Sequence, residues 1–508
     1  MRVLKRIILL TILWGLICCE SANTEEMRKD SRLKAPYKLL YNNDTTNTAN
    51  CESPYHKKGE LFTEAKLVAS IEEVAGKGVD AYMLSPGMGW VPWWQSKVEP
   101  DFYEWWKKRT GLKTVTGNRS GRGYETYVYN GGDMVQVLID TCRRHDMDPF
   151  VSLRLNDVHA QECYRDKTQR SIVSCRFYCE HPQWHIDPEH YKRKGYYGKR
   201  GMDWAVPQVR EYKLKLIQEL ANNYDLAGLE LDFLRHSILF RDNGPSAEER
   251  TRIITDFVSE VRKALDRKKG NRKWLCVRIP CRLSAHPWLG LDVKKLYAAG
   301  VDMFNMSDWY HTSQGSDIGK VRNMLPNAAI YKEMTHSAGR NRQFHTNRLY
   351  SNITNPRTSD PMFYTTARIA YKNGADGMSL FNFVYYRKYE KGIAKHQEPP
   401  FHIMPNLTDR DFLKKQSPHY YLASRYYENP LARTLKRGHA ERFQMEMLSA
   451  GKNELFRLII HAKEKIGKRK LSVKLNGKPL KPFEDVSPVC DNPFNWMITP
   501  NEEHRRGW

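Results

Sequence analysis

Between about residue 59 and residue 397, short apolar runs alternate with longer segments of helical periodicity. Such alternation predicts βαβ units and a parallel sheet. The predicted strands are Val79–Leu84, Pro149–Leu153, Met202–Val206, Gly228–Phe233, Trp274–Ile279, Val301–Met306, Ala329–Glu333 and Ala375–Phe381. Gly78, Gly300 and Gly374 precede three of these regions, as expected where a helix ends and a strand begins. Eight such units predict an α/β fold, a (β/α)8 TIM barrel with long inserted loops.

The segments that flank the barrel have different patterns. A basic start and the apolar run Ile7–Ile17 predict a signal peptide. A polar stretch then predicts a tether. After the barrel, a closing helix over 412–427 and alternating segments ending in the turn Asn476-Gly477 predict a C-terminal β-sandwich. The predicted boundaries are 1–22 for the signal peptide, 23–58 for the tether, 59–410 for the barrel and 411–508 for the closing helix and β-sandwich.

Composition narrows the class of partner. The chain has 508 residues and a formal net charge of +24. The basic residues are spread along the chain, and no nucleic-acid-binding motif accompanies them. A polyanionic polysaccharide, sulfated or containing uronic acid, suits this charge better than nucleic acid does. The alternative is a generally basic surface with no specific partner.

The leader predicts a secreted, periplasmic or cell-surface protein. Its apolar run is shorter than the roughly 20 residues that span a bilayer. Lipidation of Cys18 or Cys19, directly after the run, would instead make the protein a membrane-attached lipoprotein. The eight later cysteines favour disulfides in an exported chain. A zinc site around Cys175 and Cys179 is the alternative.

Two carboxylates end the fourth predicted strand. Side chains alternate along a strand, so Glu230 and Asp232 face the barrel interior while Leu231 faces the helices. Buried carboxylates are unfavourable unless they are paired or used in chemistry. The sequence therefore predicts catalytic carboxylates, and the alternative is a structural ion pair with Arg154 or Arg278.

Glu333 lies at the end of the seventh predicted strand. Cleavage of a glycosidic bond needs two carboxyl groups that flank it, and residues at the carboxyl ends of barrel strands converge on one site. The predicted catalytic residues are thus Asp232, Glu333 and Glu230.

Polar and aromatic residues at other strand ends predict substrate contacts. Arginine could bind sulfate or carboxylate groups, or pair with the catalytic carboxylates. Tryptophans in the loop after the first strand could stack on sugar rings or pack beneath the loop. The predicted substrate-binding residues are Arg154, Asn156, Asp157, His159, His236, Arg278, Asn305, Asp308, Trp309, Tyr310, His336, Asn382, Trp90 and Trp93.

The segment Gly228–His236, together with Glu333, resembles glycoside hydrolase-like barrels related to family 10 of the retaining clan. The resemblance implies that Asp232 is the acid/base, that Glu333 is the nucleophile and that the mechanism is retaining. The clan has Asn-Glu at the end of strand four, where this chain has Glu-Leu-Asp at 230–232. Both the identity of the acid and the stereochemistry therefore stay open.

These patterns together predict an exported glycoside hydrolase that acts on a polysaccharide by a two-carboxylate mechanism. No phosphate-binding loop or dinucleotide fingerprint is found in the sequence, and we expect neither a cofactor nor a metal. One alternative is a non-catalytic glycan-binding protein of the cell surface. Another is a polysaccharide lyase or a metal-dependent barrel hydrolase, which the cluster of Arg154, Asn156, Asp157 and His159 keeps open.

Overall fold

The structure is a computed structural model of the chain. It describes residues 34–44, 47, 53–55, 60–111, 113, 123–159, 175–189, 200–267, 272–335, 337–338, 358–384, 399–422, 436, 438–449, 458 and 472–480.

Eight parallel strands close into a barrel, as the sequence predicts. They are β1 Leu39–Asp44, β2 Ala81–Ser85, β3 Asp148–Arg154, β4 Gly228–Asp232, β5 Trp274–Pro280, β6 Met303–Ser307, β7 Ala329–Thr335 and β8 Gly377–Phe381. Each strand pairs with the next along the chain, and β8 closes the barrel against β1, with Leu39 opposite Met378. The carboxyl ends of all eight strands therefore meet at one mouth, where barrel enzymes carry their sites.

Helices follow or precede most strands. They are α1 Glu64–Glu72, α2 Phe102–Thr110, α3 Tyr124–Tyr129, α4 Met134–Arg144, α5 Arg176–Glu180, α6 Pro207–Asn223, α7 Ala247–Asp266, α8 His286–Leu289, α9 Val293–Ala298, α10 Ile318–Met324, α11 Asp360–Lys372 and α12 Arg410–Lys415. The longest, α7, is capped by Ser246, whose side chain accepts from the Glu249 N–H. Its buried face, which includes Ile254, Val258 and Val261, packs in the core around the barrel.

The barrel interior changes character along its axis. At the amino ends of the strands it is apolar and includes Leu40, Phe150, Met303 and Tyr331. Gly228 makes room there, because a Cβ at that position would lie 2.1 Å from the Phe150 ring. One layer further on, the inward side chains include Asn42, Ser152, Glu230 and Asn305, which are hydrogen-bonded to one another. The interior thus becomes polar and charged towards the mouth.

Two strand predictions are wrong. The first barrel strand, Leu39–Asp44, lies inside the predicted tether 23–58, because its apolar residues Leu39, Leu40 and Tyr41 are buried in the barrel. The predicted strand Met202–Val206 is not a strand, and Met202 forms only an isolated bridge to His185. The two errors offset each other, so Asp232 still ends the fourth strand, and Glu333 lies two residues before the end of the seventh.

The C-terminal segment is described only in part. The closing helix was predicted over 412–427, but helix α12 ends at Lys415 and covers only the start of that range. Residues 443–447, predicted to be a strand, have no regular structure. The predicted turn is confirmed, since Lys474–Leu475 pairs with Lys478–Pro479 around Asn476 and Gly477, which have φ of 51° and 82°. The β-sandwich stays a prediction, and the signal peptide lies outside the described residues.

Two findings bear on the environment of the chain. Among the described helices, none has the length and hydrophobicity that a membrane span requires. Cys142, Cys175 and Cys276 are buried free thiols. Cys51, Cys163 and Cys490 lie outside the described residues, so a disulfide framework stays a prediction.

The place of β1 in the barrel can be tested by substitution. Leu40→Ala should lower the free energy of unfolding by about 2–5 kcal/mol, because a fully buried leucine leaves a cavity. Leu61→Ala, at a site that is 61% exposed, is the matched control and should change it by less than about 0.5 kcal/mol. Urea unfolding followed by tryptophan fluorescence measures both. Equal, small changes in the free energy of unfolding would show that Leu40 is not buried in the barrel and would support the predicted tether.

Candidate active site

The mouth of the barrel is organised around Arg278 of β5, which is completely buried. Its Nε and Nη2 donate to the two oxygens of Glu333, each at 2.7 Å, and its Nη1 donates to Asp232 Oδ1 at 3.1 Å. The guanidinium also lies over the Phe381 ring, with 3.8 Å from Cζ to the ring centroid. One arginine therefore joins two of the predicted catalytic carboxylates. Asp232 forms the ion pair with Arg278 that the sequence offered as the alternative to a catalytic role.

Asp232 and Glu333 differ in the oxygens that they leave available. Glu333 is 1% exposed and accepts four hydrogen bonds, two from Arg278, one from Ser307 Oγ and one from Asn305 Nδ2 at 3.1 Å. Asp232 accepts from Arg278 and from the N–H groups of Leu234 and Arg235, all through Oδ1. Its Oδ2 accepts from no residue that the structure describes. Only Asp232 thus combines a fixed orientation with an oxygen that can react.

Glu230 lies one layer deeper than Asp232. Its Oε1 accepts from Asn42 Nδ2 at 2.5 Å and Ser152 Oγ at 2.7 Å, and its Oε2 accepts from Asn305 Nδ2 at 3.0 Å. Burial, followed by repulsion from Asp232, raises the pKa of Glu230 to about 7. With no exposed surface, this carboxyl supports the layer above rather than reaching a substrate.

A second arginine bridge lies beside the first. Arg154 of β3 pairs with Asp44 of β1 through Nη2 and with Asp157 Oδ2 through Nη1 at 3.0 Å. Arg154 and Asp232 are neighbours in the strand register. With 5% exposure and two carboxylate partners, Arg154 is engaged within the protein rather than presented to a sulfate.

Asp157 also lies close to two histidines. Its Oδ1 lies 2.5 Å from His159 Nδ1 and 3.3 Å from His236 Nδ1, while His236 Nδ1 accepts from the Val158 N–H at 3.1 Å. Burial lowers the pKa of His236 to about 3. Although burial favours the neutral acid, His159 and Arg154 hold the pKa of Asp157 well below its ordinary value. His236 is therefore a neutral packing partner of an ionised Asp157.

The same three residues bring their ligand atoms within 4.8 Å of one another, which is close enough to bind a metal ion. The surrounding donors oppose this reading. The Val158 and His159 N–H groups both point at the cluster, at His236 Nδ1 and Asp157 Oδ1. The ligand atoms are thus already engaged in hydrogen bonds, and Asp157 is also paired with Arg154, so these contacts favour a hydrogen-bonded cluster over a cation site.

Three non-glycine residues at the mouth have left-handed backbones. They are His236, Trp309 and Asn382, with φ of 59°, 58° and 48°. Each follows a different barrel strand, namely β4, β6 or β8. Such conformations are unfavourable for side chains with a Cβ, and they cluster where a site fixes its residues.

Several predicted substrate contacts prove to be internal. Asn156 holds a loop, donating to the carbonyls of Met202 and Ile238 at 3.0 and 2.6 Å. Trp90 and Trp93 are 2% and 0% exposed, and Trp93 stacks on Tyr124 at 4.2 Å. These two tryptophans therefore pack beneath their loop, which corrects the prediction of a sugar platform.

The remaining predicted residues are distributed around the mouth. Asn305 bridges Glu230 and Glu333, and the Trp309 carbonyl accepts from Arg278. Asn382 Oδ1 accepts from the Asp44 N–H at 3.0 Å. Asp308 is buried and Tyr310 is partly exposed. His336 lies outside the described residues.

Three residues of the network were not predicted. Asp44 and Asn42 belong to β1, whose short apolar run Leu39-Leu40-Tyr41 is the signal that the surrounding polar segment obscured. Ser307 ends β6 and donates to Glu333 while accepting from Arg278. Its position two residues after Asn305 could have identified it as inward-facing.

Comparisons with known proteins add neighbours in fold but no family. No protein-family profile and no curated protein matches the chain. Solved structures that it is similar to include an alpha-L-fucosidase from Paenibacillus thiaminolyticus, with 10% identity, TM-score 0.43 and coverage of 74% of this chain and 49% of that one. A maltogenic alpha-amylase from Thermotoga neapolitana has 13% identity and a TM-score of 0.38, with coverage of 74% of this chain and 76% of that one. A chitinase from Chromobacterium violaceum has 11% identity and a TM-score of 0.37, with coverage of 73% of this chain and 99% of that one.

These neighbours are glycoside hydrolases with barrel folds, and this chain spans about half the length of the fucosidase. At such identities and TM-scores their activities carry no argument for this chain. The barrel is established by the strand order of this chain, and the resemblance to family 10 stays a prediction.

Arg278 can be tested as the anchor of the site. Arg278→Met should lower the free energy of unfolding by about 3–5 kcal/mol, because it leaves buried carboxylates without their cation. Arg252→Met is the control, since Arg252 is 63% exposed and pairs with Glu249 and Asp256 on a helix. It should cost less than about 1 kcal/mol. A similar loss in both variants by urea unfolding would contradict the anchor.

Glu230 should give the protein a pH-dependent stability. Its pKa of about 7 exceeds the unfolded value of 4.5, so the folded state holds a proton that the unfolded chain releases. The contribution to the free energy of unfolding is therefore present below pH 4.5 and is lost as pH rises to 7. Between pH 4.5 and 7, the free energy of unfolding of Glu230→Gln should therefore rise relative to that of wild type by up to roughly 3 kcal/mol. Urea unfolding at several pH values measures it, and a constant difference would be contrary to expectation.

Proposed function

We propose that this protein is a glycoside hydrolase that cleaves a polysaccharide at the mouth of its barrel, with Asp232 as the carboxylate that reacts. The observation that carries the proposal is the asymmetry of Asp232. Three donors fix Oδ1, and Oδ2 accepts from no described residue. A carboxylate held in this way is preorganised to attack or to stabilise a developing cation, because it needs no reorganisation when charge appears.

Glu333 has a different role in this proposal. Its four hydrogen bonds leave neither oxygen available, and Arg278 covers both. We assign it to fixing Arg278, which in turn orients Asp232. The alternative keeps the two-carboxylate mechanism of the resemblance, with Glu333 as nucleophile and retention of configuration, and requires Arg278 to leave Glu333 when substrate binds.

The proposals for substrate and location rest on the sequence. The leader and the net charge of +24 support an exported enzyme, secreted or attached to the cell surface, that acts on an anionic polysaccharide with sulfate or uronic acid groups. In this proposal the positive charge attracts the polymer to the protein surface, and residues at the mouth of the barrel select the bond that is cleaved.

A glycan-binding protein without catalysis is the second candidate. The burial of both carboxylates, at 2% for Asp232 and 1% for Glu333, favours it because neither is open to solvent in this structure. Incubation with a panel of neutral, uronic and sulfated polysaccharides separates the two functions. An enzyme releases new reducing ends, whereas a binding protein shifts in affinity electrophoresis and releases none.

Substitution of the two carboxylates tests the assignment within the enzyme. On the polysaccharide that the panel identifies, Asp232→Asn should lower kcat by at least about 10⁴-fold, as removal of a reacting group does. Glu333→Gln should lower it by on the order of 10²-fold, because Arg278 and Asp232 then lose their alignment. Reducing-end release measures both.

Asp256→Asn, an exposed carboxylate on α7, is the control and should keep wild-type activity. Circular dichroism establishes that each variant is folded. A larger loss in Glu333→Gln than in Asp232→Asn would instead support Glu333 as the nucleophile.

A further inference from the structure

His159 is the most accessible of the acid–base groups whose contacts define this site. Its side chain is 23% exposed, compared with 3% for Asp232 and 1% for Glu333. It follows β3, the strand that pairs directly with the strand of Asp232. Of these groups, it is therefore the one most open to solvent.

Asp157 fixes the orientation of the His159 ring. A carboxylate only accepts, so the 2.5 Å contact with Asp157 Oδ1 places a proton on His159 Nδ1. The Asp157 Oδ1 also accepts from the His159 backbone N–H at 3.0 Å, and its Oδ2 is held by Arg154 at 3.0 Å. Nε2 is therefore the atom of His159 whose protonation can change, and in this structure it accepts from Arg235.

Arg235 connects this atom to Asp232. Its Nη2 contacts His159 Nε2, and its backbone N–H donates to Asp232 Oδ1 at 3.1 Å. The same guanidinium lies over Tyr310, with 5.2 Å from Cζ to the ring centroid. Arg235 thus occupies the hydrogen-bonding position beside Nε2, and it must leave that atom before Nε2 can meet an oxygen of a sugar.

We propose that His159, oriented by Asp157, is the acid/base partner of Asp232. The inference rests on the proposed function and deepens it. In the first step, Asp232 Oδ2 forms a bond to the anomeric carbon as the glycosidic C–O bond breaks. The Nε2 proton of the His159 imidazolium goes to the leaving oxygen. In the second step, neutral His159 takes a proton from water, whose oxygen bonds to the anomeric carbon as the ester to Asp232 breaks.

The charges around His159 set the expected pH dependence. Asp157 favours the imidazolium, whereas burial and the cations Arg235 and Arg154 disfavour it, and His236 lies against the ring at 4.8 Å. Burial is the largest of these effects, and the pKa of His159 is lowered from 6.5. Because the imidazolium is the acid, kcat/KM should fall as pH rises through a value below 6.5.

The decisive variant is His159→Gln, measured on the polysaccharide identified by the panel and on 2,4-dinitrophenyl glycosides. Loss of a general acid should lower polysaccharide cleavage by about 10²–10⁴-fold. A dinitrophenolate needs no protonation to leave, so its release should fall less than about tenfold, and added azide should accelerate turnover. Equal losses on both substrates would overturn the proposal, because a purely structural role affects both alike.

His402→Gln is the matched control, since His402 also pairs with a carboxylate, Asp360, at 2.6 Å but is 65% exposed and far from the site in sequence. It should leave both rates unchanged. Asp157→Asn should reproduce part of the His159→Gln defect and shift the pH profile, because it removes the group that orients the ring.

Imidazole ¹⁵N NMR of the full chain tests the dyad without substrate. Assigned by loss of its signals in His159→Gln, His159 should be neutral near pH 7 with the proton on Nδ1. The Nε2-protonated form, or a chemical shift that changes when zinc is added, would overturn the dyad. Absence of polysaccharide cleavage by wild type would reject the proposed function, and with it the acid/base role, while the NMR result would still decide the orientation of the ring.

Discussion

One buried guanidinium, that of Arg278, determines the arrangement of the barrel mouth. It bonds Glu333 on two sides and Asp232 on a third, and it lies on the Phe381 ring. A buried cation must have its full set of partners, because an uncompensated charge inside a protein is strongly destabilising. The carboxylates are therefore not free to be placed independently, and the orientation of Asp232 follows from the contacts of Arg278.

The second bridge, through Arg154, repeats this arrangement on the neighbouring strands. It fixes Asp157, which fixes His159, in the way that Arg278 fixes Asp232. Buried ion pairs contribute little to stability in comparison with apolar packing, and specificity of arrangement is the better reason to keep them. In this barrel the apolar layer near the amino ends provides stability, and the polar layers above it provide position. The result is a carboxylate at the end of β4 and an imidazole in the loop that follows the adjacent strand, β3.

The period of the strands made much of this site predictable. Alternation placed Glu230 and Asp232 inside the barrel, and the seventh strand placed Glu333 at its mouth. What the sequence could not show is which polar atoms meet, since this depends on side-chain directions across six strands. From the sequence, Arg278 was therefore only one of two possible ion-pair partners for the carboxylates of the fourth strand. Asp44 was missed because a strand with only three apolar residues in a polar segment has too weak a pattern to identify.

The most direct measurement is to identify the carboxyl group that becomes covalently modified during turnover. The chain would be treated with a set of 2-deoxy-2-fluoroglycosyl fluorides that covers the sugars released from its polysaccharide, then digested and sequenced by mass spectrometry. We expect a single adduct on Asp232 and none in the Asp232→Asn variant. An adduct on Glu333 would contradict this expectation, because that residue would then have been released from Arg278 and would itself be the nucleophile.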